Sequence, residues 1–237
     1  MKIKVIFDKD TLNKNLCSGW GVSFLVDDKI LFDTGEKGEW LLENMRILKV
    51  DINKIEAVVI SHDHWDHWGG LWDLLAQKAG LKVYACPGFS KEFKEKVEKS
   101  KGELIEAEKF KEIAPSIYTT GEIPGAYHGR YMAEQAMVLK TNNGLTVTTG
   151  CAHPGILKIL EKVKAKFLSE QIYFVLGGFH LIEQDKRAIE IIVENFKRMG
   201  IIKVGPTHCS GPQAEEIFKK MYQDNFVEIK TGEVLEV

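Results

Sequence analysis

No stretch of the 237-residue chain is apolar for long enough to cross a bilayer, and Met1-Lys2-Ile3-Lys4-Val5-Ile6-Phe7 reads as a strand, not a signal peptide. None of the four cysteines (Cys17, Cys86, Cys151 and Cys209) stands in a CxxC pair, so reduced thiols and a cytoplasmic location are expected. Charge of one sign is also missing: the net charge is −2, with no basic stripe, which argues against nucleic-acid partners bound by bulk charge. Linkers, internal repeats and low-complexity stretches are absent as well. A single domain over residues 1–237 is therefore expected, long enough to bury a sizeable core. Gln and Asn are sparse beside Lys and Glu, a hint of a thermophilic source.

What is present is concentrated chemistry. Residues 55–59 are short, β-branched and apolar, the pattern of a buried strand. Immediately after them runs Ile60-Ser61-His62-Asp63-His64-Trp65-Asp66-His67-Trp68-Gly69-Gly70, and residues 71–78 then read as a helix closed by Gly80. Three histidines and two aspartates thus sit where a strand ends and a helix begins, the place where open α/β sheets put their chemistry. His62 and His64 are two apart, so extended backbone points both imidazoles the same way. Asp66 and His67 can face back from the first helical turn. Imidazole and carboxylate suit zinc, iron or manganese, and Gly69-Gly70 lets backbone pass close to the site. Surface histidines beside an aspartate cap would not need four such side chains within six positions.

Along the rest of the chain, strands are expected at 2–7, 20–26 and 29–32, the last ending in Asp33-Thr34-Gly35 before a helix from about 38 to 48. Asp33 either caps that helix or supports a metal-binding imidazole from outside. Further strands are expected at 81–86, 103–108, 116–120, 135–140, 145–149, 172–176, 201–204, 227–229 and 234–235, with helices at 90–99, 156–167, 187–199 and 213–222. Residues 121–132, rich in glycine and aromatics, read as a loop whose Tyr, His and Arg either contact a ligand or pack at the surface. His153, His180 and His208 each follow an apolar strand inside a glycine-containing loop, which points to active-site roles.

The string His62-x-His64-x-Asp66-His67 resembles the signature of the metallo-β-lactamase-fold superfamily. Periodicity alone supports only mixed α and β (α/β, or α+β in some schemes). The resemblance implies a four-layer αββα sandwich and one or two metal ions, zinc foremost, with iron or manganese as alternatives. It implies that His62, His64 and His153 serve a first ion, that Asp66, His67 and His208 serve a second, and that Asp33 supports the histidines. The aspartate that normally bridges two metals after Thr-Gly is replaced by Cys151, which either ligates as a thiolate or leaves a weaker second site.

Gly150-Cys151-x-His153-x-Gly155, Gly177-Gly178-Phe179-His180-Leu181 and Thr207-His208-Cys209-x-Gly211 together resemble the dihydropterin ribofuranosyl-aminobenzene phosphate synthase-like branch. The resemblance implies a metal-dependent hydrolase in which a metal-activated hydroxide attacks a small-molecule substrate, phosphorylated or pterin-related compounds among the candidates, with Asp66 steering the proton and His180 touching the substrate. The alternatives are a synthase of the branch's own type and a non-catalytic ligand-binding relative.

Overall fold

The computed structural model describes all 237 residues, Met1–Val237, and they divide into two compact units. The first comprises Met1–Glu108 and Ile229–Glu236, the second Lys109–Glu228 with Val237. None of the helices is long and apolar enough to cross a membrane.

In the first unit the opening strand β1 (Lys2–Phe7) pairs with β2 (Ser23–Val26), which turns back into β3 (Ile30–Phe32). Asp27 and Asp28 make that turn with positive φ angles of 46° and 57°, a conformation that short polar side chains tolerate. Helix α1 (Gly38–Ile47) leads to β4 (Ala57–Val59), then α2 (Trp65–Trp68) and α3 (Leu71–Gln77), β5 (Lys82–Ala85), α4 (Lys91–Lys99) and β6 (Glu103–Glu106). Strands β3, β4, β5 and β6 run parallel, and the C-terminal strand Val234–Glu236 joins the far edge against β1. Both sides of this sheet are apolar, so β4 reads Ala57-Val58-Val59 and is buried throughout. The helices bury one stripe each: Leu41 and Met45 on α1, Leu71, Leu74 and Leu75 on α3, Phe93 and Val97 on α4. Ser90 starts α4 by accepting a hydrogen bond from Phe93 N at 3.2 Å.

The second unit opens with β7 (Lys111–Ala114), a strand the sequence did not announce, paired with β8 (Ile117–Thr119). Residues 121–132, expected to be a loop, instead build the hairpin β9 (Ile123–Tyr127) and β10 (Arg130–Glu134). His128 and Gly129 turn it with φ of 48° and 73°, the two left-handed residues of a primed hairpin turn. Glycine and aromatic content masked a two-stranded ribbon whose partner lies within its own segment. Then follow β11 (Met137–Thr141), β12 (Gly144–Thr149), α5 (Ile156–Lys166), β13 (Ile172–Gly178), α6 (Lys186–Arg198), β14 (Lys203–Thr207) and α7 (Pro212–Tyr222). The sheet order is β14-β13-β12-β11-β8-β7, with β12, β13 and β14 parallel. The expected strand at 227–229 does not form. What remains is a single bridge between Val204 and Phe226, with Val227 N donating to Val204 O at 2.8 Å.

Ile156, Ile159, Leu160 and Val163 of α5 join Ile189, Val193 and Phe196 of α6 in one core over Val147, Val175 and Val204. Phe179, Phe196 and Phe218 meet there with ring centroids 5.3–5.6 Å apart, each contributing about 1.5–3 kcal/mol through burial. Such cores hold the parallel strands rigidly, so the loops at their carboxyl ends start from fixed points.

Candidate metal centre

In the first unit the chemistry lies just past β3 and β4. Asp33 follows β3 directly, and its backbone N–H donates to Val59 O at 2.9 Å. The Asp33 carboxylate accepts from Ser61 N and Ser61 Oγ, each at 2.7 Å, and stands 2.7 Å from His67 Nδ1. Ser61 Oγ also lies 2.9 Å from His62 Nδ1. With both Nδ1 atoms engaged by protein oxygens, Nε2 is the nitrogen that His62 and His67 turn toward the remaining donors. His62 Nε2 is 3.0 Å from His64 Nδ1, and His67 Nε2 is 3.2 Å from Asp66 Oδ2. The donors therefore pair as His62 with His64 and as Asp66 with His67.

Burial disfavours charge on His67, but Asp33 and Asp66 on either side of it prevail and hold its proton affinity well above the ordinary imidazole range. Burial likewise raises the Asp33 carboxyl, with His67 opposing. Asp63 is no part of this set. It accepts from Trp68 Nε1 at 3.0 Å and from Ser90 N at 2.7 Å, tying the metal-type loop to the start of α4. Trp68 packs edge-on against Trp72 at 5.5 Å, while Trp65 is exposed. Gly69 and Gly70 answer to a different neighbour from the one expected. A Cβ on them would meet Glu36 O at 2.1 Å and Thr34 O at 2.4 Å, so the close approach is to the Asp33 loop's own backbone.

In the second unit three parallel strands deliver Cys151 after β12, His180 after β13 and His208 after β14. Cys151 Sγ lies 3.4 Å from His208 Nε2. The donor atoms of Cys151, His208 and Cys209 all lie within 4.8 Å of one another, as do those of Cys151, His153 and His180. His153 and His180 sit with ring centroids 4.7 Å apart, and Tyr127 from the β9–β10 hairpin approaches both rings. Its neighbours His128 and Arg130 are not brought into this group: Arg130 is exposed at the hairpin tip, and His128 meets Tyr127 edge-on. A cavity of about 290 Å³ opens here, lined by His153, His180, Phe179, Leu181 and Gln184 among others.

Two residues of this group escaped the sequence reading. Glu134, at the end of β10 and wholly buried, accepts hydrogen bonds from Cys151 N at 3.0 Å, Ala152 N at 2.7 Å and His153 N at 2.7 Å, and stands 3.0 Å from His153 Nδ1. Burial pushes its carboxyl up, but His153 and the loop amides more than offset this and leave it below the usual range. The only sequence signal for Glu134 is one acidic residue amid the small and apolar Ala133 and Ala136. Cys209 is the other. Burial raises its thiol, yet hydrogen bonding with Cys151 and His180 brings it down to about 6. The Cys209 thiol in turn raises His180.

The backbone at these places is bent in one way. Asp33, Ala152, His180 and His208 have φ of 54°, 64°, 53° and 53°, the left-handed region that non-glycine residues rarely occupy. Each follows a parallel strand, and each conformation costs about 1–3 kcal/mol, which the surrounding bonds must offset. Phe179 N donating to Ser210 Oγ at 3.0 Å and Leu181 N donating to Cys209 O at 3.1 Å do so around His180.

Parallel strands that end in buried imidazoles, carboxylates and a thiol mark a protein of the metallo-β-lactamase fold. The chain belongs to the metallo-beta-lactamase superfamily, whose sequence profile matches residues 21–168. It is similar to the 7,8-dihydropterin-6-methyl-4-(beta-D-ribofuranosyl)-aminobenzene-5'-phosphate synthase of Methanocaldococcus jannaschii, with 28% identity covering 94% of this chain and 92% of the relative. An uncharacterized protein of the same organism is 31% identical, covering 98% of this chain and 99% of its own. Among solved structures, a metal-dependent hydrolase of the β-lactamase superfamily superimposes with a TM-score of 0.84 at 32% identity, covering 100% of this chain and 99% of that one. Metal ions are implied by this superfamily, and the donors fit them. Bonds of about 2.0–2.1 Å to a tetrahedral ion space its ligands by roughly 3.3 Å, close to the His62–His64 and Asp66–His67 separations of 3.0 and 3.2 Å.

Proposed function

We propose that this chain is a metal-dependent enzyme that hydrolyses a small molecule. The observation that carries the reading is the anchoring of ligand-type imidazoles at Nδ1: Ser61 at His62, Asp33 at His67 and Glu134 at His153. In the first unit His62 with His64, and Asp66 with His67, would hold metal. In the second, Cys151, His153 and His208 are the corresponding donors. Zinc suits a set that includes a thiol, while iron or manganese would be served by the imidazoles and carboxylate. When bound, such an ion supplies Lewis acidity and makes water acidic enough to react near neutral pH.

The chain's own residues supply the rest. Asp66, whose Oδ2 lies 3.2 Å from His67 Nε2, would steer the proton that water loses. His180 meets the substrate in the cavity beside it, where Phe179 and Leu181 provide apolar wall. Trp65 and Trp68 line or pack the metal-type loop and take no part in proton transfer, since indole has no titratable group near neutral pH.

A synthase reading stands beside hydrolysis, favoured by the similarity to the named synthase over nearly the full length. The deciding experiment measures metal content before and after reconstitution with zinc, iron or manganese. It then measures turnover of a phosphodiester and a thioester, and formation of the dihydropterin-linked ribofuranosyl-aminobenzene phosphate. Hydrolytic turnover that depends on metal supports the first reading, and product formation without hydrolysis supports the second. A chain that takes up no metal after reconstitution is a ligand-binding relative.

A further inference from the structure

We propose that Glu134 is the positioning residue of the Cys151–His153 loop, selecting the His153 tautomer that presents Nε2 as the ligand nitrogen. Its one carboxylate receives four hydrogen bonds from three consecutive residues. Oε1 accepts from Cys151 N at 3.0 Å and Ala152 N at 2.7 Å, and Oε2 accepts from His153 N at 2.7 Å and His153 Nδ1–H at 3.0 Å. The carboxylate is wholly buried, and its ion-pair contact within 4.0 Å is to that imidazole. A buried carboxylate is costly unless its lone pairs are filled, and here the loop fills them.

The backbone amides alone would make Glu134 a cap for a strained turn, in which Ala152 stands at φ 64°. The fourth bond does something the amides do not. An acceptor-only group facing Nδ1 requires the proton to sit on Nδ1, so Nε2 must carry the lone pair. The same three amide bonds fix the direction in which Cys151 leaves β12, and so the place of its thiol next to His208. One side chain from the β10 end therefore sets both the imidazole and the thiol of the second unit's donor group. The inference deepens the metal-dependent reading above, because a correctly tautomerised His153 matters most to a metal ligand.

Glu134→Gln is the informative variant. The amide has the shape of the carboxylate, and its oxygen can still accept from loop amides. Its NH₂, facing His153 Nδ1, demands a lone pair there and moves the imidazole proton to Nε2. The first readout is the His153 tautomer in metal-free protein at pH 9, above the ordinary imidazole range. It is read by long-range ¹H–¹⁵N correlation and assigned by the signal's loss in His153→Gln. The wild type is expected to show a protonated Nδ1 and Glu134→Gln a protonated Nε2. The second readout is zinc affinity by chelator competition, expected to fall about 10–100-fold in Glu134→Gln and to recover partly in Glu134→Asp. A wild-type imidazole protonated at Nε2 overturns the proposal, as does an unchanged tautomer in folded Glu134→Gln. Failure of wild type to take up zinc, with the tautomers as stated, would instead remove the metal-dependent reading and leave Glu134's role intact.

Discussion

Asp33 Oδ2 lies 2.7 Å from His67 Nδ1, and both side chains are completely shut off from solvent. The carboxylate also takes both the N–H and the hydroxyl of Ser61, so one group at the end of β3 orders the start of the loop after β4. In the second unit Glu134 stands in the same relation to His153. Each unit thus anchors a ligand-type imidazole through Nδ1 with a buried carboxylate from another element, β3 in the first and the β9–β10 ribbon in the second.

Asp33→Asn tests this anchor without disturbing the backbone, because asparagine tolerates the left-handed conformation that Asp33 adopts at φ 54°. The amide can satisfy Ser61 or His67 but not all three donors. Loss of charge complementarity at a buried site is expected to cost about 2–4 kcal/mol in chemical denaturation and to weaken metal binding about 10–100-fold. Unchanged metal affinity in the folded variant would reduce Asp33 to a scaffold role.

His62→Ala and His64→Ala are expected to lose bound metal while remaining folded. His62 is fully buried, so its removal leaves a hole and costs about 2–3 kcal/mol. His64 is half-buried and should cost less than about 1 kcal/mol. Elemental analysis alongside circular dichroism checks both; folded variants with wild-type metal content would remove this pair from the metal centre.

Cys151 is expected to favour thiophilic ions. Its Sγ is buried and 3.4 Å from His208 Nε2, a distance that a shared ion could exploit. Cys151→Ser should lower zinc stoichiometry, and Cys151→Asp should restore it and raise affinity for harder ions such as manganese. Equal stoichiometry in wild type and both variants, at matched metal concentration, means that the thiol only packs beneath the loop.

Tyr222 provides a stability test remote from the donor groups. Its hydroxyl is buried without a hydrogen-bond partner, and burial raises its pKa. Tyr222→Phe keeps the ring near Phe218 and removes the unpaired hydroxyl, so a gain of about 0.5–1 kcal/mol is expected. The folded pKa exceeds the unfolded value of about 10, so the wild type's tyrosine contribution is complete below that pH and declines as pH rises through the folded value. The variant should therefore lose less stability between pH 9 and 11; parallel thermal melts that shift equally would contradict this.

The His62–His67 cluster was legible because its spacing needs no partner to be recognised, and the strand-end histidines were legible because apolar runs announce buried strands. The β9–β10 hairpin was not, since its glycine and aromatic residues resemble a loop until the positive φ of His128 and Gly129 closes the turn. In the sequence Cys209 is one of four cysteines outside any CxxC pair, next to His208, with no role assigned to it. Only its placement beside Cys151 and His180 brings it to about 6.

The sequence by itself determined which donor chemistries exist and that they cluster at strand ends, because residue type and periodicity are local properties. The tertiary structure alone decided which oxygen holds which imidazole. Asp33 is 34 residues from His67, and Glu134 is 19 from His153; the first pair meets because β3 lies beside β4 in one sheet, the second because the separate β9–β10 ribbon sets its end against the loop after β12. Hydrophobic patterning specifies that a strand is buried. It does not specify which element packs beside it, and the buried carboxylates depend on that choice.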